Sequence, residues 1–203
     1  MDIAILGAKI IGSTLAKKWV AAGHRVRFGV RSPHNPEVQT LVQSLGGNAS
    51  VTVIAEAIAF GSVVVFAIPG GAMDATIAEH AAALDGKIIV DAANRVGAAV
   101  MNSAASFAAH VPTAQVFRAF NALGWENFET PRFGDVQADL FYSGPAGEGQ
   151  TRVEQLIAEV GLRPVWVGGP EQTPLVDALG RLWFALALNQ SRGRHLAFKM
   201  LTD

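Results

Sequence analysis

The sequence predicts an α/β protein with a doubly wound, mostly parallel sheet. Apolar segments of strand length alternate with amphipathic segments of helix length, and the segment 63–66 is apolar at every position, as a strand covered on both faces is. In addition, a short apolar strand, a turn with two glycines and an amphipathic run follow one another from residue 2. This order is typical of the entrance to a dinucleotide-binding βαβ unit, so we expect a Rossmann-type fold.

The predicted elements follow the chain in order. Residues 2–6 form the first strand, and an apolar stripe at helical spacing after the turn predicts a helix that ends at Gly23. Asn35 and Pro36 are a helix cap and a first helical residue. Further strands are expected at 25–30, 61–68, 87–90, 115–119, 140–142 and 164–167, and further helices at 72–84, 98–110, near 149–160 and from Pro174.

The length of 203 residues suits one large domain. We expect a single dinucleotide-binding domain of Rossmann type over 1–203, with a core at about 1–122 and C-terminal strands and helices at about 123–203. A helical C-terminal extension therefore completes the predicted fold.

The composition excludes several classes of function. Hydrophobic residues make up 50% of the chain and charged residues 16%, against a typical value of about 25%. The net charge is −1 with no basic block, so no nucleic-acid partner is expected. The absence of cysteine excludes disulfides and thiolate metal sites, and no metal site is predicted. No apolar run approaches the ~20 residues of a membrane helix, and no signal peptide is apparent, so we expect a cytoplasmic protein without a membrane partner.

The turn after the first strand is the first candidate cofactor site. It resembles the G-x-G-x-x-G fingerprint and keeps the first and third glycines, while Lys9 replaces the second. The Lys9 ammonium can fold back toward a pyrophosphate, or its side chain can crowd the phosphate; we favour binding. The predicted cofactor-binding residues of the turn are Gly7, Ala8, Lys9, Ile10, Ile11 and Gly12.

The end of the second strand indicates which dinucleotide binds. Enzymes that use NAD place an acidic residue there for the ribose 2′-hydroxyl, but no acidic residue occurs between Asp2 and Glu37. Arg31 and Ser32 stand there instead, and a guanidinium with a hydroxyl suits a 2′-phosphate. The sequence therefore predicts NADPH or NADP as cofactor, although an exposed arginine in a solvated loop is the alternative.

The other strand ends predict the nicotinamide and acceptor sites. Ala67, Ile68 and Pro69 are expected to hold the nicotinamide, and Asn94 is a further predicted cofactor-binding residue, because ligands lie beyond the carboxyl ends of parallel strands. No general acid or base is identified with certainty: the only tyrosine, Tyr142, lacks a lysine four residues later. A flavin-type acceptor fits this absence, because hydride passes directly between stacked rings.

Several motifs resemble the NADPH-dependent reductases of the deazaflavin coenzyme F420, within the NADP oxidoreductase family. The glycine turn, Arg31, the segments 67–69 and 118–122, Asn94, Leu182-Trp183 and residues 197–200 carry this resemblance. It implies a reaction in which NADPH reduces a deazaflavin or a flavin. Lys9, Arg118 and Ala122 depart from the glycine, lysine and threonine of the family pattern.

The predicted function is hydride transfer from NADPH to a flavin-like or deazaflavin acceptor, a small molecule. Asn94, Phe120 and Asn121 are predicted to line the acceptor pocket, the alternative for the last two being a core residue and a turn cap. Alternative functions are reduction of another small carbonyl or imine compound, and a non-catalytic NADP(H) sensor. The apolar residues around the last helix predict a homodimer through the C-terminal helices.

Overall fold

A central parallel sheet dominates the fold. Its strands are β1 (Asp2–Leu6), β2 (Arg25–Gly29), β3 (Ala49–Thr52), β4 (Val63–Phe66), β5 (Ile88–Asp91) and β6 (Gln115–Arg118). The strand order is β3-β2-β1-β4-β5-β6, so the winding reverses between β1 and β4. β1 pairs in parallel with both of these neighbours, β2 and β4. The predicted α/β, Rossmann-type fold is confirmed, and the reversal is the point where open α/β sheets bind ligands.

The computed structural model describes residues 1–202, which divide into two compact units. The first unit is Met1–Val116 and the second begins at Phe117, within β6. The expectation that residues 1–203 form one domain stays a prediction.

Helices of the first unit flank the sheet. They are α1 (Ile10–Ala21), α2 (Pro36–Leu45), α3 (Ile54–Phe60), α4 (Met73–Glu79), α5 (Ala81–Leu84) and α6 (Ala104–His110), with a 3-10 turn at Gly70–Ala72. Asn35 caps α2 as predicted, because its side chain accepts a hydrogen bond from the Glu37 amide at 2.8 Å. β4 and β5 are buried at every position, which explains their uniformly apolar sequences.

Two predicted helices are shorter in the structure. The segment 72–84 is interrupted at His80, whose φ of −110° and ψ of 17° leave helical geometry, and it forms α4 and α5. The segment 98–110 forms a helix only from Ala104, because the residues before it follow a loop whose Ser103 amide is hydrogen-bonded to Asp91. β3 and α3 were not predicted, since both are short and lack strong turn signals.

The second unit contains two small sheets and three further α-helices within residues 117–202. The strands are β7 (Arg132–Phe133) and β8 (Val136–Gln137), which form a hairpin, and β9 (Asp139–Tyr142) and β10 (Arg163–Trp166), which pair in parallel. The helices are α7 (Glu126–Glu129), α8 (Glu148–Val160) and α9 (Thr173–Phe184). A 3-10 turn at Pro170–Gln172 precedes α9, and a π-helical segment at Ala185–Asn189 follows it.

A buried carboxylate anchors the C-terminal segment of the second unit. The Asp139 side chain is fully buried and accepts hydrogen bonds from Arg163, Lys199 and the Met200 amide. Burial alone would raise the pKa of Asp139, but these donors outweigh it and hold the pKa below its ordinary value.

None of the helices described within residues 1–202 is both long and apolar enough to cross a membrane.

Candidate cofactor-binding site

The turn after β1 lies directly against the end of β4. Gly7 has a φ of +100°, and a Cβ added there would lie 2.5 Å from the Ala67 carbonyl oxygen and 3.3 Å from Ile68 Cγ2. The Gly7 amide donates to the Gly29 carbonyl at 3.0 Å, so the turn is also tied to the end of β2. Only glycine satisfies both the backbone conformation and this close approach.

Gly12, the third glycine of the fingerprint, lies in the first turn of α1 and lets this helix pack directly on the turn that precedes it. A Cβ on Gly12 would lie 2.3 Å from the Gly7 carbonyl oxygen and 3.1 Å from Ile5 Cγ2. Gly12 is buried, and the helix rests on the turn backbone. The two glycines of the predicted fingerprint are therefore both required by the geometry of strand, turn and helix.

Lys9 occupies the middle position of the fingerprint without strain. Its φ of −83° and ψ of −171° are extended geometry, which any residue adopts, and its side chain is exposed. Lys9 is the cap residue of α1, and its carbonyl accepts the first helical hydrogen bond, from Ser13 at 2.9 Å. The amides of residues 10–12 lie before this first bond and therefore have no acceptor within the helix, and the first turn holds no acidic residue. This helix end has the donors and the polarity that bind a phosphate group.

Arg31 and Ser32 follow β2 on an ordered loop. The Asn35 amide donates to the Ser32 carbonyl at 3.1 Å, and the Gln39 side chain donates to the Pro33 carbonyl at 2.8 Å. Both Arg31 and Ser32 are exposed, and within residues 1–202 the Arg31 guanidinium has no hydrogen-bonding or ion-pair partner. The loop thus presents an unpaired cation and a hydroxyl beside each other in sequence at this strand end.

The end of β4 continues the same edge of the sheet. Ala67 and Ile68 are half-buried and Pro69 is exposed, and the Ala67 amide donates to the Leu6 carbonyl at 2.9 Å. Gly70 comes next, and a Cβ on it would lie 2.4 Å from the Asn94 carbonyl oxygen. Gly70 therefore brings the half-buried Asn94, after β5, against the segment predicted to hold the nicotinamide.

Gly70 and Asp91 shape this edge of the sheet, and the sequence patterns did not predict these roles. Asp91 is 2% exposed, and its carboxylate accepts hydrogen bonds from the Ala93 and Ser103 amides, both at 3.1 Å. Asp91 therefore shapes the loop that carries Asn94. The glycine pair directly after Pro69 was a visible signal for Gly70, whereas nothing local indicated the partner of Asp91.

The other two predicted acceptor residues lie in the second unit. Phe120 is 2% exposed, has a φ of +62° and packs edge-to-face on Phe128 with ring centroids 5.6 Å apart. Asn121 is 3% exposed and donates to Asp177 at 3.3 Å. Asp177 also pairs with the buried Arg118 at 2.8 Å. Their contact with an acceptor stays a prediction.

Tyr142 is not arranged as a proton donor. It is fully buried in the second unit, and its hydroxyl bonds Glu154. Burial, together with Glu154, raises the pKa of Tyr142 well above its ordinary value. No group of three or more potential metal-ligating side chains occurs among the described residues.

Solved structures share the fold over most or all of the chain. A candidate F420-dependent NADP-reductase from Arthrobacter sp. FB24 is 23% identical, with 100% of both chains covered and a TM-score of 0.86. A hypothetical protein from Sinorhizobium meliloti is 25% identical, with 100% of this chain and 96% of that chain covered and a TM-score of 0.69. An imine reductase from Aspergillus terreus, solved with NADPH4, is 19% identical over 91% of this chain and 62% of its own, with a TM-score of 0.66.

Comparison with protein families and with curated proteins tests the predicted family resemblance, which a shared fold alone does not test. A search of curated proteins finds no significant match. The family described as NADP oxidoreductase, coenzyme F420-dependent, matches residues 2–95, which include the glycine turn, Arg31, Pro69 and Asn94. The C-terminal motifs of the predicted resemblance lie outside this match. Residues 2–95 thus match the model of the coenzyme F420-dependent family of NADP oxidoreductases, which confirms the predicted resemblance over this part of the chain.

Proposed function

We propose that this protein binds NADPH along the carboxyl edge of the first unit and reduces a flavin-like or deazaflavin acceptor. The glycine turn is the observation that carries the proposal. Side chains on Gly7 or Gly12 would lie within 2.5 Å of backbone carbonyl oxygens, so the turn is built for the close approach of strand and helix that a dinucleotide site needs. The family match over residues 2–95 supports an NADP-dependent oxidoreductase.

The start of α1 would hold the pyrophosphate. The amides of residues 10–12 point out of the helix end, where the helix dipole favours negative charge. Lys9 adds a formal positive charge at the cap position, and its exposed side chain is long enough to turn toward a phosphate. These groups replace the close backbone contact that the missing glycine would have given.

Arg31 and Ser32 would distinguish NADPH from NADH. Among residues 1–202 the exposed Arg31 guanidinium has no ion-pair partner, so no ion pair described there must be broken before it binds a phosphate. A charge-assisted hydrogen bond contributes about 1.5–3 kcal/mol, which corresponds to a roughly 10- to 100-fold preference in affinity. No acidic residue follows β2 before Glu37, so nothing here favours a ribose hydroxyl over a phosphate.

The segment Ala67, Ile68 and Pro69 would hold the nicotinamide ring, with Asn94 beside it. When bound, NADPH supplies a hydride, one proton with two electrons, and is left as NADP. Ile68 and Pro69 give an apolar surface that limits water at the ring, and the Asn94 amide can orient a carboxamide or a ring carbonyl. A flavin-type acceptor takes its second proton from solvent, so the chain need not contribute an acid.

Cofactor preference is tested by titrating the protein with NADPH and NADH. Arg31→Ala should weaken NADPH binding roughly 10- to 100-fold and leave NADH binding nearly unchanged. Arg25→Ala is the matched control, because Arg25 lies at the opposite end of the same strand and pairs with Asp2. Equal affinity of the unmutated protein for the two cofactors would refute this assignment.

Turnover separates the enzyme from a sensor. NADPH oxidation is followed with coenzyme F420, riboflavin and a cyclic imine as acceptors. Oxidation with either ring acceptor supports the proposal, and oxidation with the imine alone favours the alternative reductase. Tight NADPH binding without turnover of any acceptor favours a non-catalytic NADP(H) sensor.

We also propose a homodimer through the C-terminal helices. Leu175 and Leu182 on α9 and Leu188 in the π-helical segment are 58%, 47% and 45% exposed, although each is large and apolar. A second copy of the chain would remove these leucines from water. Sedimentation should give a dimer that Leu182→Glu dissociates, and a concentration-independent monomer would refute the proposal.

A further inference from the structure

A short apolar loop follows β5 at the carboxyl edge of the sheet. It comprises residues 96–100, Val-Gly-Ala-Ala-Val, and is called the valine loop below. Val96 and Val100 are 75% and 61% exposed, among the most exposed large apolar side chains of the described residues. The two valines keep apolar surface in contact with water, and a ligand that covered them would gain hydrophobic free energy from removing it.

The base of the valine loop is firmly held. The Arg95 amide donates to the Met101 carbonyl at 3.0 Å, so the residues flanking the loop are bonded to each other. Met101 is 3% exposed and anchors the far side in the core. The Arg95 guanidinium bonds Asp74 at 2.5 Å and the Ser103 hydroxyl at 3.0 Å. The two ends of the valine loop are therefore held together and tied to the core and to α4.

The valine loop begins beside the residues proposed for the nicotinamide. A Cβ on Gly70 would lie 2.8 Å from Arg95 Cα and 2.4 Å from the Asn94 carbonyl oxygen. Gly70 follows Pro69 directly, so the loop starts where the segment 67–69 ends. Ligands of open α/β sheets occupy this edge, and the hydride acceptor must lie next to the nicotinamide.

The surface offered by the valine loop is uncharged. None of its five residues is ionisable. The nearest cation in sequence, Arg95, is already paired with Asp74, and this pairing holds the pKa of Asp74 below its ordinary value. An acceptor that meets this surface gains from apolar contact rather than from charge.

We propose that Val96 and Val100 form the apolar wall for the hydride acceptor and select an uncharged, planar ring. This inference rests on the proposed function, since it places the acceptor of that reaction. It assigns the valine loop a specificity-determining role that neither the sequence motifs nor the family match gave it.

The first experiment measures contact directly and does not depend on turnover. Valine methyl groups are labelled with carbon-13, and the Val96 and Val100 resonances are assigned from the variants Val96→Ser and Val100→Ser. Riboflavin, an uncharged planar ring, is added to the NADP-saturated protein. Both resonances should shift, while that of Val136, 50% exposed in the β7–β8 hairpin, should not.

The second experiment measures specificity. Val96→Ser and Val100→Ser should each raise the KM for riboflavin at least about fourfold, the effect of one buried methylene group. The dissociation constant for NADPH should stay unchanged. Val136→Ser is the matched control, and it should change neither quantity.

The outcomes separate this inference from the proposed function. If NADPH binds and is oxidised, but the valine resonances and the riboflavin KM do not respond, the valine loop is not the acceptor wall and the proposed function stands. If NADPH fails to bind, both proposals are refuted. A shift of Val136 equal to those of Val96 and Val100 indicates non-specific binding of riboflavin and also overturns the inference.

Discussion

Gly12→Ala tests whether the turn and α1 are packed as closely as the structure shows. The substitution adds one methyl group at a buried helical position, where alanine is otherwise the better helix former. An isolated helix would therefore be stabilised by about 1 kcal/mol. The packing against Gly7 reverses this expectation.

The cost follows from the distances. The new methyl carbon would lie 2.3 Å from the Gly7 carbonyl oxygen, whereas ordinary contact begins at 3.4 Å. The contacted atom is backbone and cannot rotate away, so α1 and the turn must separate by about 1 Å. Overpacking of this kind costs about 1–3 kcal/mol of stability. The shift also moves the helix amides away from the phosphate, and losing about 1.4 kcal/mol there raises the NADPH dissociation constant tenfold.

Two measurements on one pair of variants check this reasoning. Thermal unfolding should show a lower midpoint for Gly12→Ala, by about 2–4 °C for each kcal/mol in a chain of this length. Titration with NADPH should show at least a tenfold loss of affinity. Gly47→Ala is the control, because a Cβ on Gly47 meets nothing within 4 Å and its backbone is not left-handed. It should leave stability unchanged or raise it by up to about 1 kcal/mol.

The result that refutes the reasoning is a Gly12→Ala protein that matches Gly47→Ala in both measurements. Such a result would mean that α1 moves freely relative to the turn. Loss of stability without loss of NADPH affinity would retain the packing argument but remove the helix end from the phosphate site.

Three further predictions concern charge and hydrogen bonding. Lys9→Ala should weaken NADPH binding more at low salt than at high salt, because salt screens the attraction between the ammonium and a phosphate. Lys17→Ala, on the exposed side of α1, is the control and should not weaken binding at either salt concentration. If the two variants change NADPH affinity equally, Lys9 does not belong to the phosphate site. Asn121→Ala should lower acceptor turnover more than NADPH affinity. It should also cost a little thermal stability, because the Asn121 amide donates to the buried Asp177 carboxylate. Equal losses of turnover and of NADPH affinity would contradict an acceptor role for Asn121. The folded state holds the pKa of Asp139 below its unfolded value near 3.8. The ionised carboxylate therefore stabilises the folded state above that pH, and this stabilisation is lost as the pH falls below it. In Asp139→Asn, acid unfolding monitored by circular dichroism should no longer show the part of the transition that Asp139 contributes, and an unchanged acid transition would contradict this prediction.

The parts of the fold that local patterns determine were predictable. β1, the glycine turn and α1 could be predicted because each has its own signal in the sequence: an apolar strand, two glycines and an apolar stripe at helical spacing. The Asn35 cap, with Pro36 behind it, predicted the start of α2 to the residue. Arg31 was predictable as a candidate ligand of a 2′-phosphate because no acidic residue occurs between Asp2 and Glu37, and this role stays a prediction.

The errors arose where distant residues decide the structure. The loop before α6 takes its shape from Asp91, whose carboxylate bonds an amide 12 residues further along the chain. The helix expected over 98–110 therefore begins only at Ala104. β3 has no fully buried residue, so its sequence lacks the uniformly apolar pattern of β4 and β5.

The π-helical segment after α9 has a consequence for changes of length. A π turn accommodates one more residue than an α turn, so Ala185–Asn189 is equivalent to α-helix with a single residue inserted. Deleting one residue between Ala185 and Asn189 would let the last turn of α9 close as regular α-helix, while the side chains before Ala185 keep their directions. The same deletion inside α1 or α8 would rotate every later side chain by about 100° around the helix axis. Among the described helices, the end of α9 is therefore the place where losing one residue leaves the packing of the preceding turns in place.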